Sequence, residues 1–271
     1  MAPNQHDARA DAAENWYWSL DIAKKFKSKY PDIKYRVIGA PFLYCLKNIN
    51  YIHEESEFKK GSIVFPFHST ENIEIGFDYE EYCKMLIDLP DEYKPVTICI
   101  YHNDKKKQKD KIFIQHGFEV VCNGDNPCDD NFLYNFVKNV HGKKYLFTNE
   151  WSSAMHYASI MEIMVYLYGP SVSLIKSCDD NYQVDYSNKC WRPFKEEYRK
   201  YYLFPNGDEE RQVVIANKEL GMDSILSVRK MNFFLWKNVF TVKYMSTIFK
   251  EIIFYACNFI QIFSRSLRDN D

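Results

Sequence analysis

The chain has 271 residues, a formal net charge of −2, 46% hydrophobic residues and nine glycines. This length suits one large domain or two small ones, and the apolar content is sufficient for a folded core. The balanced charge argues against nucleic acid as the main partner, because neutralising phosphates needs an excess of Lys and Arg. The scarcity of glycine argues against a glycine-rich phosphate loop.

The first 60 residues predict a short amino-terminal α/β portion. Residues 1–13 are small and polar without periodicity, so we expect them to be disordered or a cloning remnant. In the portion 14–60, apolar spacing predicts a helix over 14–29, a strand over 35–38 and a helical turn over 42–49.

The portion 61–228 alternates between strand and helix patterns, which predicts an α/β fold with a Rossmann-like, mostly parallel sheet and helices on both faces. Asp78 and Glu81 form a capping-box pattern at the start of the first helix. The segment 178–207 is irregular, and a helix over 207–220 ends at Gly221. Strands are predicted at 62–67, 96–101, 118–122, 145–147 and 171–175, and helices at 79–89, 112–116, 131–140 and 152–168.

The tail 229–271 is the most apolar stretch, and lysines interrupt it between residues 231 and 262. Its uninterrupted part is too short for a bilayer, which needs about 20 apolar residues. Two interpretations stay open: a helix that packs back across the sheet, and an amphipathic helix on the surface of the inner membrane.

The eight cysteines include no C-x-x-C pair, so a zinc knuckle is not indicated. The polar first residues also lack the apolar core of a signal peptide. These features predict a cytoplasmic protein with reduced thiols, and a disulfide framework is the alternative.

Polar residues follow four of the predicted strands. Because the carboxyl ends of parallel strands meet at one edge of a sheet, these residues are expected to lie together. The four groups are His68-Ser69-Thr70, His102-Asn103-Asp104, Asn123-Gly124-Asp125 and Thr148-Asn149-Glu150.

Ser152 and Ser153 open the next helix, where free backbone N–H groups favour a phosphate; plain N-capping by Ser152 is the alternative. His68 and His102 are positioned to act as a general acid or as donors to a phosphate, or are loop histidines bonded to backbone. The sequence has no Walker, dinucleotide-binding or D-x-D motif, so neither a metal nor a cofactor is expected.

Residues 33–174 resemble a group of bacterial capsule and lipopolysaccharide proteins that look like GT-B glycosyltransferases. The resemblance implies a metal-independent transferase that moves a sugar from a CMP- or UDP-linked donor to a glycan acceptor. The segments that carry it are 37–44 (VIGAPFLY), 65–70 (FPFHST), 94–101 (KPVTICIY), 117–124 (GFEVVCNG) and 148–153 (TNEWSS).

The later part is also similar to the nucleotide half of CMP-sugar transferases, such as sialyltransferases and Kdo transferases. In those enzymes a strand-end histidine and a later Ser-Ser contact the CMP phosphate. The resemblance thereby assigns His102 with Ser152 and Ser153 to the phosphate, with His68 as a competing histidine. Asn103 stands where the family has proline.

The resemblance further implies that Ser69, Thr70, Asn123, Gly124 and Asn149 line the nucleotide. A full GT-B enzyme has a larger amino-terminal domain, so that half is reduced here or supplied by a partner in a homo- or hetero-oligomer. The alternative from another class is a non-catalytic module that binds a glycan or a membrane within a polysaccharide assembly complex.

Overall fold

The computed structural model of the chain describes residues 14–52, 59–70, 73–126, 129–177 and 197–239. The strands are β1 (Asn15–Tyr17), β2 (Tyr35–Val37), β3 (Ser62–Val64), β4 (Ile73–Gly76), β5 (Val96–Cys99), β6 (Glu119–Val121), β7 (Tyr145–Thr148), β8 (Met164–Leu167) and β9 (Ser173–Ser177). The helices are α1 (Leu20–Lys29), α2 (Pro41–Asn48), α3 (Tyr79–Ile87), α4 (His102–Lys106), α5 (Asp110–Gln115), α6 (Phe132–Val140), α7 (Ser153–Ile160), α8 (Glu209–Leu220) and α9 (Val228–Val239).

The centre of the fold is a five-stranded sheet in the order β6-β5-β3-β7-β8, in which every neighbouring pair is parallel. This confirms the predicted α/β class with a mostly parallel sheet, and the arrangement is consistent with a Rossmann-like fold. The chain moves outward from β3 to β5 and β6, then returns to the other side of β3 with β7. The strand order therefore reverses between β3 and β7, where open parallel sheets bind ligands.

Both faces of this sheet are buried, which accounts for strands that are apolar at successive positions. Side chains alternate between the faces: Ile63 and Leu146 enter one hydrophobic cluster, and Val64 and Phe147 enter the other. Residues from α2, α6, α7 and α8 complete the first cluster, and residues from α3 and α5 complete the second. Helices thus cover both faces, as predicted.

Two smaller sheets flank the centre. β1 pairs in parallel with β2, and Tyr17, Ala23, Phe26 and Ile33 form a small separate core beside them. β4 pairs antiparallel with β9, outside the parallel sheet. The sequence predicted β9 two residues early and did not predict β4 at all.

The outer strand β8 is protected by a side chain of α8. Gln212 is 1% exposed, and its amide accepts a hydrogen bond from the Val165 amide at 2.9 Å and donates one to the Val165 carbonyl at 2.7 Å. The side chain thereby occupies backbone groups that an edge strand would otherwise leave open to another chain.

Two helix predictions are wrong. The residues 14–29 are not one helix: β1 comes first, and α1 begins after Ser19, whose hydroxyl accepts from the Ile22 amide. The predicted helix over 152–168 ends at Ile160, because Glu162 takes a left-handed conformation with φ of 56° and the chain then enters β8.

Other local predictions are confirmed. Asp78 caps α3 by accepting from the Glu81 amide at 2.8 Å. Gly221 ends α8 in the left-handed region, with φ of 68°. The predicted disordered segment 1–13 and most of the apolar tail lie outside the described residues; within the tail, α9 is helical. None of the helices in the described part of the chain has the length and apolar content that crossing a bilayer requires.

Candidate functional site

A pocket lies at the carboxyl edge of the central sheet, across the point where the strand order reverses. Its walls come from the segments at and after the ends of β3, β5 and β6, from α6 and from the first half of α7. Its cavity volume is about 80 Å³, several times the roughly 10–15 Å³ that one water molecule needs. A small ring or a phosphate fits inside, whereas a whole nucleotide sugar would extend beyond the mouth.

Six of the nine predicted site residues line this pocket, although they come from four separate segments of the chain. They are His68, His102, Asn123, Gly124, Ser152 and Ser153. The sheet brings them together because each follows, directly or within a few residues, a parallel strand of the same sheet.

His68 is held in a defined orientation. Its Nδ1 lies 3.1 Å from the carbonyl oxygen of Ser69, and its ring stacks on Tyr101 with centroids 3.9 Å apart. A carbonyl oxygen only accepts, so Nδ1 carries the proton in this contact. Burial lowers the pKa of His68, while Asp104 and the Ser69 carbonyl act in the opposite direction. The neutral imidazole is therefore favoured at pH 7.

His102 is the first residue of α4 and is only 2% exposed. The Tyr101 ring contacts this imidazole as well, with centroids 4.0 Å apart. His102 therefore forms the inner wall of the pocket, and His68 is the more accessible of the two histidines.

A buried ion pair holds the segment that carries His68. Asp104 is 3% exposed and lies 2.9 Å from Nζ of Lys109. The other carboxylate oxygen of Asp104 accepts a hydrogen bond from the Ser69 amide at 3.1 Å. The ammonium of Lys109 donates to the Ser69 hydroxyl at 3.2 Å and to the Ile75 carbonyl at 3.2 Å. Ser69 is therefore fixed from two directions, which fixes the position of His68 beside it.

Three predicted nucleotide contacts lie outside the pocket lining. Ser69 is fully buried in the ion-pair network, and Thr70 is exposed. Asn149 accepts from the Phe67 amide at 2.8 Å and donates to the Pro170 carbonyl at 3.2 Å. Asn149 thus joins the segment after β3 to the turn after β8, so in this structure it shapes the site without facing it.

Asn123 and Gly124 form the wall after β6. The Asn123 side-chain oxygen accepts from Asn139 at 2.9 Å, and its backbone carbonyl accepts from Asn135 at 2.8 Å, so α6 fixes this turn. A Cβ atom on Gly124 would lie 2.7 Å from the carboxylate of Asp129, so a side chain here requires that carboxylate to move.

The start of α7 differs from simple N-capping. Ser152 has extended backbone dihedrals, yet its side chain makes no capping hydrogen bond and its buried hydroxyl has no hydrogen-bond partner among the described residues. The Ser153 hydroxyl forms a hydrogen bond with the Tyr157 phenol. Burial raises the pKa of Tyr157 to about 12. The first amides of α7 have no acceptor within the helix, so this end favours an anion.

Sequence reasoning missed the aromatic character of the pocket. Rings from four parts of the chain line it, and among the described residues no Lys, Arg, Asp or Glu does. Tyr101 could have been found, since it lies between a buried strand and His102; the other rings come together only in the folded chain. The aromatic lining residues are Phe65, Phe67, Tyr101, Phe132, Phe136 and Tyr157.

Within the described ranges, no group of three His, Cys, Asp or Glu side chains is placed to hold a metal ion. Cys99 and Cys122 line the pocket as free thiols. Burial raises the pKa of Cys99 well above its usual range, so its thiol stays protonated and is a poor nucleophile.

Comparison with protein-family models, curated proteins and solved structures found no match for this chain. The resemblance to GT-B transferases therefore remains an expectation from the sequence.

Proposed function

We propose that this protein binds a nucleotide in the pocket at the carboxyl edge of its sheet and transfers a sugar from that nucleotide to a glycan acceptor, as a GT-B-like glycosyltransferase. The observation that carries the proposal is the convergence of His68, His102, Asn123, Ser152 and Ser153 on one pocket at the reversal point of a parallel sheet. Ligands bind at this place in open α/β sheets.

The lining favours a planar ring inside and a single phosphate at the rim. Aromatic side chains stack on nucleobases with little dependence on which base is present. The start of α7 offers the phosphate amide donors and a partial positive charge of about half a unit. Because the described lining contains no Lys or Arg, the site suits one phosphate better than two, which favours a CMP-linked donor over a UDP-linked one.

The proposed roles follow this placement. Ser152, Ser153 and the first amides of α7 hold the phosphate, and Asn123 with Gly124 forms the wall beside the base. The bond between sugar and phosphate then lies near the mouth, where His68 is accessible. This role for the chain's own residues needs no metal ion.

Incubation with CMP- and UDP-linked sugars, followed by measurement of released CMP or UDP, tests the proposal. We expect release from a CMP-linked donor by the wild-type protein and a loss of at least tenfold in Ser153→Glu. If no nucleotide raises the melting temperature and no donor is consumed, the proposed function is wrong, since a ligand that binds only the folded state must stabilise it.

A second candidate, contact with an anionic membrane surface, is favoured by α9. Val228, Phe233, Leu235 and Trp236 are 72%, 62%, 47% and 58% exposed. The helix also carries Arg229, Lys230 and Lys237 and no acidic residue. Exposed apolar side chains together with basic ones are typical of helices that lie in the headgroup region.

Flotation with vesicles tests this candidate. We expect the protein to float with phosphatidylglycerol vesicles and to remain in solution with phosphatidylcholine alone. The double variant of Phe233→Ser and Trp236→Ser should lose flotation, whereas Val214→Ser, which removes a 59% exposed side chain from α8, should not. Equal flotation of both variants would refute the assignment to α9.

A further inference from the structure

His68 lines the pocket and uses only one of its two ring nitrogens in a hydrogen bond to the described residues. Nδ1 contacts the Ser69 carbonyl, whereas Nε2 makes no hydrogen bond to any described residue. Nε2 is also absent from the polar side-chain atoms that are buried without a partner. Nε2 is therefore not fully enclosed by the protein, and His68 is one of the residues that line the pocket.

The Ser69 contact determines which nitrogen holds the proton. Since the carbonyl can only accept, the neutral ring carries its proton on Nδ1 and keeps a lone pair on Nε2. A neutral His68 in this tautomer cannot donate from Nε2 to a phosphate. It can accept a proton there, which is the opposite of the general-acid role expected from the sequence.

We propose that Nε2 of His68 is the general base that accepts the proton of the attacking sugar hydroxyl. This inference rests on the proposed sugar transfer and names the base for it. The hydroxyl O–H bond breaks as its oxygen bonds to the anomeric carbon of the donor. The bond from that carbon to the phosphate oxygen breaks, and its electron pair leaves with the nucleotide. The proton rests on Nε2 and passes to water after the product departs.

The surroundings support a base that becomes charged during the reaction. Burial favours the neutral ring before the reaction, and the Asp104 carboxylate favours the imidazolium that forms. Lys109 neutralises part of that carboxylate through its 2.9 Å ion pair, and His102 opposes a second positive charge. The Ser69 carbonyl orients the imidazole of His68. Sites in which a base activates a nucleophile commonly contain a further group that orients the base in this way.

The tautomer can be measured without any substrate. In a long-range proton–nitrogen NMR spectrum of protein labelled with ¹⁵N-histidine at pH 7.5, we expect the His68 signals of a neutral ring protonated on Nδ1. The signal is assigned by its loss in His68→Gln. A ring protonated on Nε2, or on both nitrogens, would overturn the proposal.

Carbethoxylation by diethyl pyrocarbonate gives a second readout on the wild-type protein and does not depend on a variant that folds. We expect peptide mapping to show modification of His68 at pH 7.5 that persists at pH 6, because burial lowers the pKa of this imidazole. Resistance of His68 to modification at pH 7.5 would contradict an open, unprotonated Nε2.

Turnover separates this inference from the proposed function itself. We expect His68→Gln to bind CMP as the wild type does but to lose about 10²–10⁴ in kcat with KM unchanged, whereas His141→Gln should keep its activity. If His68→Gln binds CMP and keeps the wild-type kcat, the role of His68 as the base is refuted and the proposed sugar transfer is not. If the wild-type protein binds no nucleotide, the proposed sugar transfer itself is refuted.

Discussion

The buried ion pair between Asp104 and Lys109 is expected to be a large single contribution to stability near the pocket. The Asp104→Ala change removes a carboxylate that is 4% exposed and leaves the ammonium of an 18% exposed lysine without its counter-ion. It also leaves the buried Ser69 amide without its acceptor. Breaking a buried pair costs about 3–5 kcal/mol.

We expect somewhat less, roughly 2–4 kcal/mol in the free energy of unfolding, because Lys109 is partly exposed and can turn toward water. Urea denaturation of Asp104→Ala, Lys109→Met and the double variant measures the coupling between the two side chains. Contacting residues in one network couple by about 0.5–3 kcal/mol. Asp104→Asn separates the charge from the hydrogen bond, since its amide oxygen can still accept from Ser69.

The exposed pair of Asp91 and Lys94, 3.4 Å apart, is the matched control. Removing Asp91 should leave the urea midpoint unchanged, because exposed ion pairs contribute little. A coupling between Asp104 and Lys109 below about 0.5 kcal/mol would refute the idea that this pair fixes the segment of Ser69.

Three further predictions concern the fold and its pH dependence. Gln212→Ala should lower the free energy of unfolding by about 2–4 kcal/mol in urea denaturation, because two backbone groups of Val165 lose their partners; no change would show that water replaces the amide. Gly61→Ala should cost more than about 2 kcal/mol, since its φ is 63° and the new Cβ would lie 2.4 Å from a backbone oxygen. Gly142→Ala, with φ of 72° and open space, should cost only about 1 kcal/mol; equal losses would contradict the steric argument. Burial lowers the pKa of His68, so the folded protein accepts a proton there less readily than the unfolded chain. The stability that the neutral His68 provides is present above the unfolded pKa of about 6.5 and is lost as pH falls through the folded pKa. His68→Gln should therefore lose less melting temperature than the wild type between pH 7 and pH 5, and an unchanged slope would contradict the lowered pKa.

Much of the fold could be predicted because its signals are local. The β-branched run of β5 and the capping box at Asp78 depend on neighbouring residues only. The positions of the strand ends predicted that His68, Ser153 and the other pocket residues lie at one edge of the sheet, because a parallel sheet aligns its carboxyl ends.

The incorrect predictions come from places where local patterns are ambiguous. The apolar residues from Ile160 to Leu167 continue through a turn that contains neither Gly nor Pro, so they suggest one helix. Instead Glu162 carries the turn, and β8 pairs with β7. Pairing between distant segments decides this outcome, and the sequence pattern does not reveal it.

The parts of the site that the sequence did not predict also depend on distant contacts. Lys109 reaches Ser69 from a different segment, and Phe132 and Tyr157 enter the pocket from α6 and α7. Such contacts become visible only when the helices are placed on the sheet. The tautomer of His68 likewise depends on a single carbonyl whose direction the sequence does not specify.

A calorimetric titration with CMP tests the central claim most directly, when it compares the wild-type protein with Ser153→Glu. The added carboxylate would occupy the phosphate end of α7, where the helix N-terminus favours a negative charge and offsets the loss of the hydrogen bond between Ser153 and Tyr157. Val228→Glu, at the exposed first position of α9, is the matched control. We predict that the wild type and the control bind CMP more tightly than UDP and that Ser153→Glu loses at least tenfold in affinity. Equal affinity in all three proteins, or no binding in any, would contradict the claim that this pocket holds a nucleotide.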